Sequence, residues 1–114
     1  MDISSAIKPA AFHILLALAR KDGHGYAVMQ AVRDQSNGRV RIQTGSFYRH
    51  LSRLIDDGLV METPGPKSGD DPRRGVYYRL TPGGRRTLVA EKARLTDLVA
   101  QLNKVRLSSR RSDA

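Results

Sequence analysis

The chain has 114 residues, which is enough for one domain with a modest core but leaves no room for a catalytic domain beside it. Lysine and arginine total 20 against 11 acidic residues, so the net charge of +9 favours polyanionic partners, either nucleic acid or anionic membrane surfaces. The absence of cysteine excludes disulfides, thiolate nucleophiles and cysteine-based metal sites.

The longest apolar stretch argues against a membrane protein. It runs from Ala10 to Ala19, is interrupted by His13, and is too short to cross a bilayer. It is not followed by a signal-peptide cleavage pattern. We therefore expect a cytoplasmic protein without a membrane partner.

Two helices are predicted first in chain order. Pro9 suits the first position of a helix that Asp22-Gly23 ends. A second helix is expected from about Gly25 to Ser36, because Asn37-Gly38 then provides a stop. Its inward-facing residues are expected to be Tyr26, Met29 and Val32, with Val28 as a further candidate.

The third helix is expected from Thr44 to Asp57, with Thr44 as N-cap and Gly58 as the stop. The preceding segment, Arg39 to Ile42, alternates charged and apolar residues, which indicates either a short strand or an extended lead-in. Apolar side chains of the helix recur at one face: Phe47, Leu51, Leu54 and Ile55. The outer face then presents Ser46, Arg49, His50 and Arg53.

A β-hairpin with a long basic tip is predicted next. Leu59 to Thr63 and Val76 to Leu80 are rich in residues that favour strands. The segment between them, Pro64 to Gly75, is a loop by composition.

The last helix is predicted to begin at Pro82, with Thr81 as N-cap, and to run to Val105, a length of about 36 Å. Its apolar residues follow heptad-like spacings that Glu91 interrupts: Leu88, Leu95, Leu98, Leu102 and Val105. The small core cannot cover so long a helix, so we expect this seam to pair with a second copy of the chain. A fold of the seam back onto its own domain is the alternative.

The predicted fold class is mainly α with a small β-hairpin, in the element order of a winged helix-turn-helix. We assign residues 1–80 to this DNA-binding domain, 81–107 to a C-terminal dimerisation helix and 108–114 to a flexible tail. In such a protein the third helix enters the major groove of double-stranded DNA, because its outer side chains reach base edges while its inner face holds it rigidly.

Candidate DNA contacts follow from this arrangement. The side chains placed for base recognition are Gln43, Thr44, Ser46 and Arg49. Arg53 suits the DNA backbone or flanking bases, and Arg39 suits a phosphate. The loop cations suit the minor groove or the phosphates beside it, although solvated charged surfaces have the same composition: Lys67, Arg73 and Arg74. The hydroxyls of Tyr26 and Tyr48 either bond phosphate or belong to half-buried structural tyrosines.

Several motifs in this order resemble the PadR family of transcriptional regulators. They are Leu15-Leu16-Ala17-Leu18, His24-Gly25-Tyr26, Gly45-Ser46-Phe47-Tyr48-Arg49 with Leu51 and Leu54, Asp57-Gly58-Leu59-Val60, and Tyr77-Tyr78-Arg79-Leu80-Thr81-Pro82-Gly83-Gly84-Arg85. Phe47 stands where family members usually have leucine, and Gly75-Val76 stands where basic residues are common.

The resemblance implies a homodimeric repressor whose C-terminal helix makes the dimer contact. Some family members release DNA when a small aromatic or hydrophobic compound binds, so such an effector is a candidate partner. The single last helix resembles that of the short-tailed members. The two-fold symmetry of such a dimer predicts an inverted-repeat operator with half-sites about 10 base pairs apart.

Three other function classes are alternatives to this interpretation. An enzyme would need a catalytic signature, and no nucleotide-binding loop, zinc-binding helix or nucleophile elbow is present, so we expect no catalysis and no cofactor. The histidines lack metal-ligand spacing, and His24 is assigned to stabilising a turn. A non-specific nucleic-acid-binding or architectural protein would bind all sequences through counterion release. A protein-interaction module would use the last helix and bind no DNA.

Overall fold

The structure, a computed structural model, describes residues 7–65 and 76–107. In chain order it contains α1 (Pro9–Arg20), α2 (Gly25–Gln35), α3 (Thr44–Asp56), β1 (Val60–Pro64), β2 (Val76–Leu80) and α4 (Pro82–Asn103). The strands form an antiparallel hairpin in which Val60 lies opposite Leu80 and Pro64 opposite Val76. This confirms the predicted fold class, a winged helix-turn-helix that is mainly helical.

The core lies where α1, α2 and α3 meet the base of the hairpin. Its buried apolar side chains are Ile14, Leu15, Ala17, Leu18, Val28, Val32, Phe47, Leu51, Leu54, Val60 and Leu80. Phe47 is among the largest fully buried side chains. The ring of Phe47, which stands where family members usually have leucine, therefore fills the core and leaves the outer face of α3 unchanged.

One predicted core residue is wrong. Tyr26 was expected to face inward, but its side chain is 65% exposed. Val28 and Val32, four residues apart on the same side of α2, are buried instead. Tyr26 lies about 200° round the helix from Val28, which turns it toward solvent.

The start of α3 also differs from the prediction. Gln43, and not Thr44, occupies the N-cap position, with extended backbone and no side-chain capping bond. The extended connection runs through Gln43, so Thr44 already has helical backbone. The segment from Arg39 to Ile42 forms no strand and is the extended lead-in. The predicted stop at Gly58 is confirmed by its φ of 77°.

The α1–α2 turn is joined to the hairpin by backbone pairing. The Gly23 amide donates to the Tyr78 carbonyl over 3.2 Å, and the Tyr78 amide donates back over 2.8 Å. The guanidinium of Arg79 makes a 2.9 Å ion pair with Asp22 beside this bridge. Strand β2 therefore has a fixed position relative to the start of α2.

Polar side chains stabilise the starts of α2 and α4. His24 is the N-cap of α2, and its Nδ1 accepts from the Ala27 amide over 3.3 Å, as expected of a turn-stabilising histidine. Thr81 caps α4 as predicted, since its Oγ1 accepts from the Gly84 amide over 3.0 Å. The same hydroxyl donates to the Gly58 carbonyl over 2.6 Å, which joins the start of α4 to the end of α3.

A histidine–glutamine pair connects α1 to α2. The side-chain amide of Gln35 donates to the His13 carbonyl over 2.7 Å and lies 3.0 Å from His13 Nδ1. An amide nitrogen only donates, so Nδ1 is the acceptor. Burial lowers the pKa of the His13 imidazole, which favours this neutral, accepting form.

The last helix is slightly shorter than predicted. It ends at Asn103, where Lys104 forms the C-cap, two residues before Val105. At 22 residues it is about 33 Å long and extends beyond the core. Within residues 7–65 and 76–107, no helix combines the length and the apolar character needed to cross a bilayer.

Gly84 permits the close packing of α4 on the hairpin. A Cβ at this position would overlap the Leu59 carbonyl oxygen and the Leu80 side chain. Gly84→Ala is therefore expected to lower the free energy of unfolding by roughly 1–3 kcal/mol, because backbone must shift to admit the methyl group. Urea unfolding at fixed protein concentration measures this change.

Gly45→Ala is the matched control. A Cβ there would meet only the tip of Arg49 at 3.6 Å, and Gly45 has ordinary helical backbone. This variant should be unchanged or more stable by up to about 1 kcal/mol. Equal losses in the two variants would contradict the packing role of Gly84.

Candidate nucleic-acid interface

The outer face of α3 is largely exposed to solvent. Tyr48, Arg49 and Arg53 are exposed, and Ser46 is half-buried, while Phe47, Leu51 and Leu54 occupy the inner face. The helix is therefore held from one side and presents polar and cationic groups on the other. This is the arrangement that the sequence predicts.

The first turn of α3 brings together the residues predicted to recognise bases. Gln43 and Thr44 are both exposed, and the Arg49 guanidinium donates to the Ser46 hydroxyl over 2.8 Å. The turn contains no acidic residue, and its N-cap makes no side-chain bond to the first amides. These amides have no partner within the helix, so they form a positive end suited to an anion.

Tyr48 joins α3 to the start of α2. Its ring packs edge-on against Phe47, with ring centroids 5.0 Å apart. Its hydroxyl lies so close to Gly25 that a Cβ there would overlap it. In the sequence, Gly25 stands out only as the start of α2 and as a motif residue, so this packing role was missed. A glycine in the first turn of a helix, where it lowers helix stability, was the available signal.

Further candidates flank the recognition helix at its α2 side. Tyr26 is exposed in the first turn of α2. Arg39 is exposed in the connection to α3, and next to it Arg41 donates to the Gly38 carbonyl over 3.1 Å. The predicted wing contacts lie outside the described residues: Lys67, Arg73 and Arg74.

A groove of about 560 Å³ runs along the other side of α3, and we name it the α1–α3 groove. Its cationic lining comes from Lys8, Arg49 and Arg53, and His50 lies among them. The sequence analysis did not select Lys8, since nothing in the local pattern distinguishes this lysine from other surface lysines. Only the fold brings it close to α3.

The predicted dimer seam has two different environments. Leu88 is half-buried and packs against the core of its own chain. The remaining members are between 39% and 55% exposed: Leu95, Leu98, Leu102 and Val105. Between α4 and α1 lies an apolar cavity of about 510 Å³, lined by Phe12, Leu16, Leu88, Lys92, Leu95, Thr96 and Val99.

Glu91, which interrupts the seam in the sequence, is buried in the structure. Its carboxylate accepts from the Arg94 Nε over 3.0 Å and forms a second, shorter contact with the same guanidinium. The hydrogen bond from Arg94, together with its positive charge, holds the pKa of Glu91 below its usual range, although burial acts in the opposite direction. The interruption is therefore a paired charge on the inner side of α4.

Within residues 7–65 and 76–107, no group of three or more histidine, aspartate or glutamate side chains is placed to hold a metal ion. From Gln43 to Arg53 the polar groups of the α3 surface are instead hydroxyl, amide, imidazole and guanidinium groups, which suit a polyanion, and the exposed acid Asp56 lies at the end of the helix.

These features define a winged helix-turn-helix protein with an open recognition helix. The model of the transcriptional regulator PadR-like family matches residues 14–90, about two thirds of the chain. The protein belongs to this PadR-like family of transcriptional regulators. No curated protein sequence matches the chain.

Solved structures support the same fold. A transcriptional regulator from Clostridium thermocellum is 26% identical, with a TM-score of 0.60 over 80% of this chain and 88% of that one. A PadR family regulator from Clostridium difficile is 21% identical, with a TM-score of 0.70 over 85% and 97%. Bacillus subtilis PadR in complex with operator DNA is 18% identical, with a TM-score of 0.61 over 73% of this chain and 46% of that one.

The Glu91–Arg94 pair generates a pH prediction. Because the folded state lowers the pKa of Glu91, the pair stabilises the fold above the ordinary pKa of a glutamate, and this contribution is lost as the pH falls through the lowered value. Glu91→Gln should therefore be less stable than the wild type at neutral pH. The difference should shrink in acid, where both side chains are neutral.

Urea unfolding of both proteins across this pH range measures the difference. A deficit for Glu91→Gln that stays constant down to strongly acidic pH would show that the loss comes from packing and not from charge. Asp97→Gln, at an exposed position on the same helix, is the control and should show a much smaller pH-dependent difference.

Proposed function

We propose that the protein regulates transcription by binding double-stranded DNA in a sequence-specific manner, as a homodimeric repressor on an inverted-repeat operator. The observation that carries this proposal is the outer face of α3. It is exposed and cationic, while its inner face is anchored by Phe47, Leu51 and Leu54. A helix held in this way enters a major groove as a rigid body.

The start of α3 supplies the base contacts in this proposal. Arg49 suits a bidentate contact with guanine O6 and N7, and its bond to Ser46 restricts the orientation of the guanidinium before DNA arrives. Gln43 suits adenine, and Thr44 suits a thymine methyl group or a phosphate. The free amides of the first turn add a phosphate contact.

Contacts with the DNA backbone surround these base contacts. Two arginines, Arg53 and Arg39, are assigned to phosphates, as are the hydroxyls of the exposed residues Tyr26 and Tyr48. On the basis of the sequence, the hairpin-loop residues Lys67, Arg73 and Arg74 are also assigned to phosphates. These contacts position the protein on the duplex without reading its sequence.

Dimerisation is proposed through the second half of α4. A monomer would expose an apolar seam that contains Leu95, Leu98 and Leu102. A partner helix would bury this seam and set the spacing of two recognition helices. The apolar cavity between α1 and α4 has the size and lining for a small hydrophobic or aromatic effector.

The B. subtilis PadR structure, which contains operator DNA, supports the assignment by similarity of fold. Family membership supports a role in transcription. A regulator of this kind acts on chromosomal DNA, so we place it in the cytoplasm.

Arg49→Ala is the direct test of base recognition. After selection of a preferred duplex from a randomised library, the wild type should bind it about 10³-fold or more tightly than random duplex at the same salt concentration. Arg49→Ala should weaken binding to the selected duplex by roughly 1–3 kcal/mol and relax the preference at one base pair. Fluorescence anisotropy titrations measure both affinities.

Arg86→Ala is the control, because it removes the same charge from an exposed position on α4. It should leave the ratio of the two affinities unchanged. Equal affinities of the wild type for selected and random duplexes would point instead to a non-specific architectural protein, and no binding to either would point to a protein-interaction module.

Leu98→Glu tests the dimer. A charge within the seam should disfavour pairing, so the variant should be monomeric in light scattering and should bind operator DNA more weakly. Ala100→Glu adds the same charge to an exposed position about 200° round α4 and should remain dimeric. A dimeric Leu98→Glu protein would contradict the proposed interface.

A further inference from the structure

The α1–α3 groove combines cations from two elements that are far apart in the sequence. Lys8 lies immediately before α1, while Arg49 and Arg53 lie one turn apart on α3. His50 lies between them on the same side. These side chains form a basic lining beside the outer face of α3. One of them, Lys8, comes from outside the recognition helix.

We propose that the α1–α3 groove receives one phosphodiester strand of double-stranded DNA, with Lys8 as a phosphate contact. The inference rests on the proposed function and deepens it, because it adds the start of α1 to the DNA interface. Its ligand chemistry is a chain of regularly spaced monoanions, not a single anion.

The position of the groove relative to α3 favours contact with a phosphodiester strand of DNA over contact with bases. Ser46 and Tyr48 lie about 100° to either side of Phe47, so they mark opposite sides of the helix. The Tyr48 side faces the start of α2, since its hydroxyl contacts Gly25. The Ser46 side faces the α1–α3 groove. A helix in the major groove lies between two phosphate strands, so each side meets one of them.

The charges that line the groove also favour contact with a phosphodiester strand. The acidic residue in its lining is Asp57, which follows the last residue of α3. Asp57 is eleven residues from Ser46, or about 16 Å along the helix axis. Arg49 and Arg53 therefore lie between Ser46 and Asp57, and the acid marks the far end of the cationic section.

The start of α1 adds to the positive potential. Lys8 occupies the N-cap position, its side chain makes no capping bond, and the first turn contains no acidic residue. The positive end of the helix dipole and the Lys8 ammonium therefore act on the same space. Lys8 is exposed, so replacing it removes charge without removing core packing.

The floor of the groove is apolar, with Ala11, Leu54 and Leu59 among its lining residues. Deoxyribose faces can lie against such a surface while the phosphates meet the cations at the rim. One other occupant would compete with DNA for this groove, the chain's own residues 1–6. The experiment below separates the two.

The test is the salt dependence of binding to a random-sequence duplex. Each phosphate contact contributes about 0.9 to the slope of log K against log salt concentration. Lys8→Gln should reduce this slope by about 0.9 per protomer and leave the ratio of affinities for selected and random duplexes unchanged. Lys8→Arg should retain the slope. Arg86→Gln, which removes one positive charge from an exposed position on α4 outside the groove, should also retain it.

The outcomes separate this inference from the proposed function. If the wild type binds DNA and Lys8→Gln has an unchanged slope, the groove assignment is overturned and the function stands. An equal loss in Arg86→Gln overturns it too, because net charge would then explain the effect. Tighter binding by a variant lacking residues 2–6 would identify that segment as the occupant. If the wild type binds no duplex, both proposals fail.

Discussion

The candidate nucleic-acid interface depends on the burial of one face of α3. Phe47 and Leu51 are almost completely excluded from solvent, and Leu54 packs beside them. Because protein cores are as dense as organic crystals, a helix anchored by such side chains cannot roll about its axis without opening cavities. The direction of every outward group on α3, including Arg49 and Arg53, follows from this packing.

Two glycines allow the neighbouring elements to approach this helix and its hairpin. Gly25 makes room for the Tyr48 hydroxyl at the start of α2, and Gly84 makes room for the Leu59 carbonyl at the start of α4. Both positions lie in the first turn of a helix, where a larger residue would favour the helix itself. Close contact between elements therefore takes precedence over local helix stability.

The helix α1 connects the two ends of the molecule. It packs against α2, α3, α4 and β2. Lys8 at its start borders the α1–α3 groove, whereas Phe12 and Leu16 border the apolar cavity beside α4. A displacement of α1 by a ligand or partner at α4 would therefore alter the surface proposed for DNA, because the same rigid helix lines both sites.

The sequence by itself determined the element order, the inner face of α3, the stop at Gly58 and the Thr81 cap, since all of these depend on residues within a few positions of one another. Only the tertiary structure decided that Tyr26 faces solvent and Glu91 is buried. It also brought Lys8 to α3, forty residues away in the chain. Periodicity predicts which side of a helix is apolar, but contacts between distant elements decide which groups each side meets.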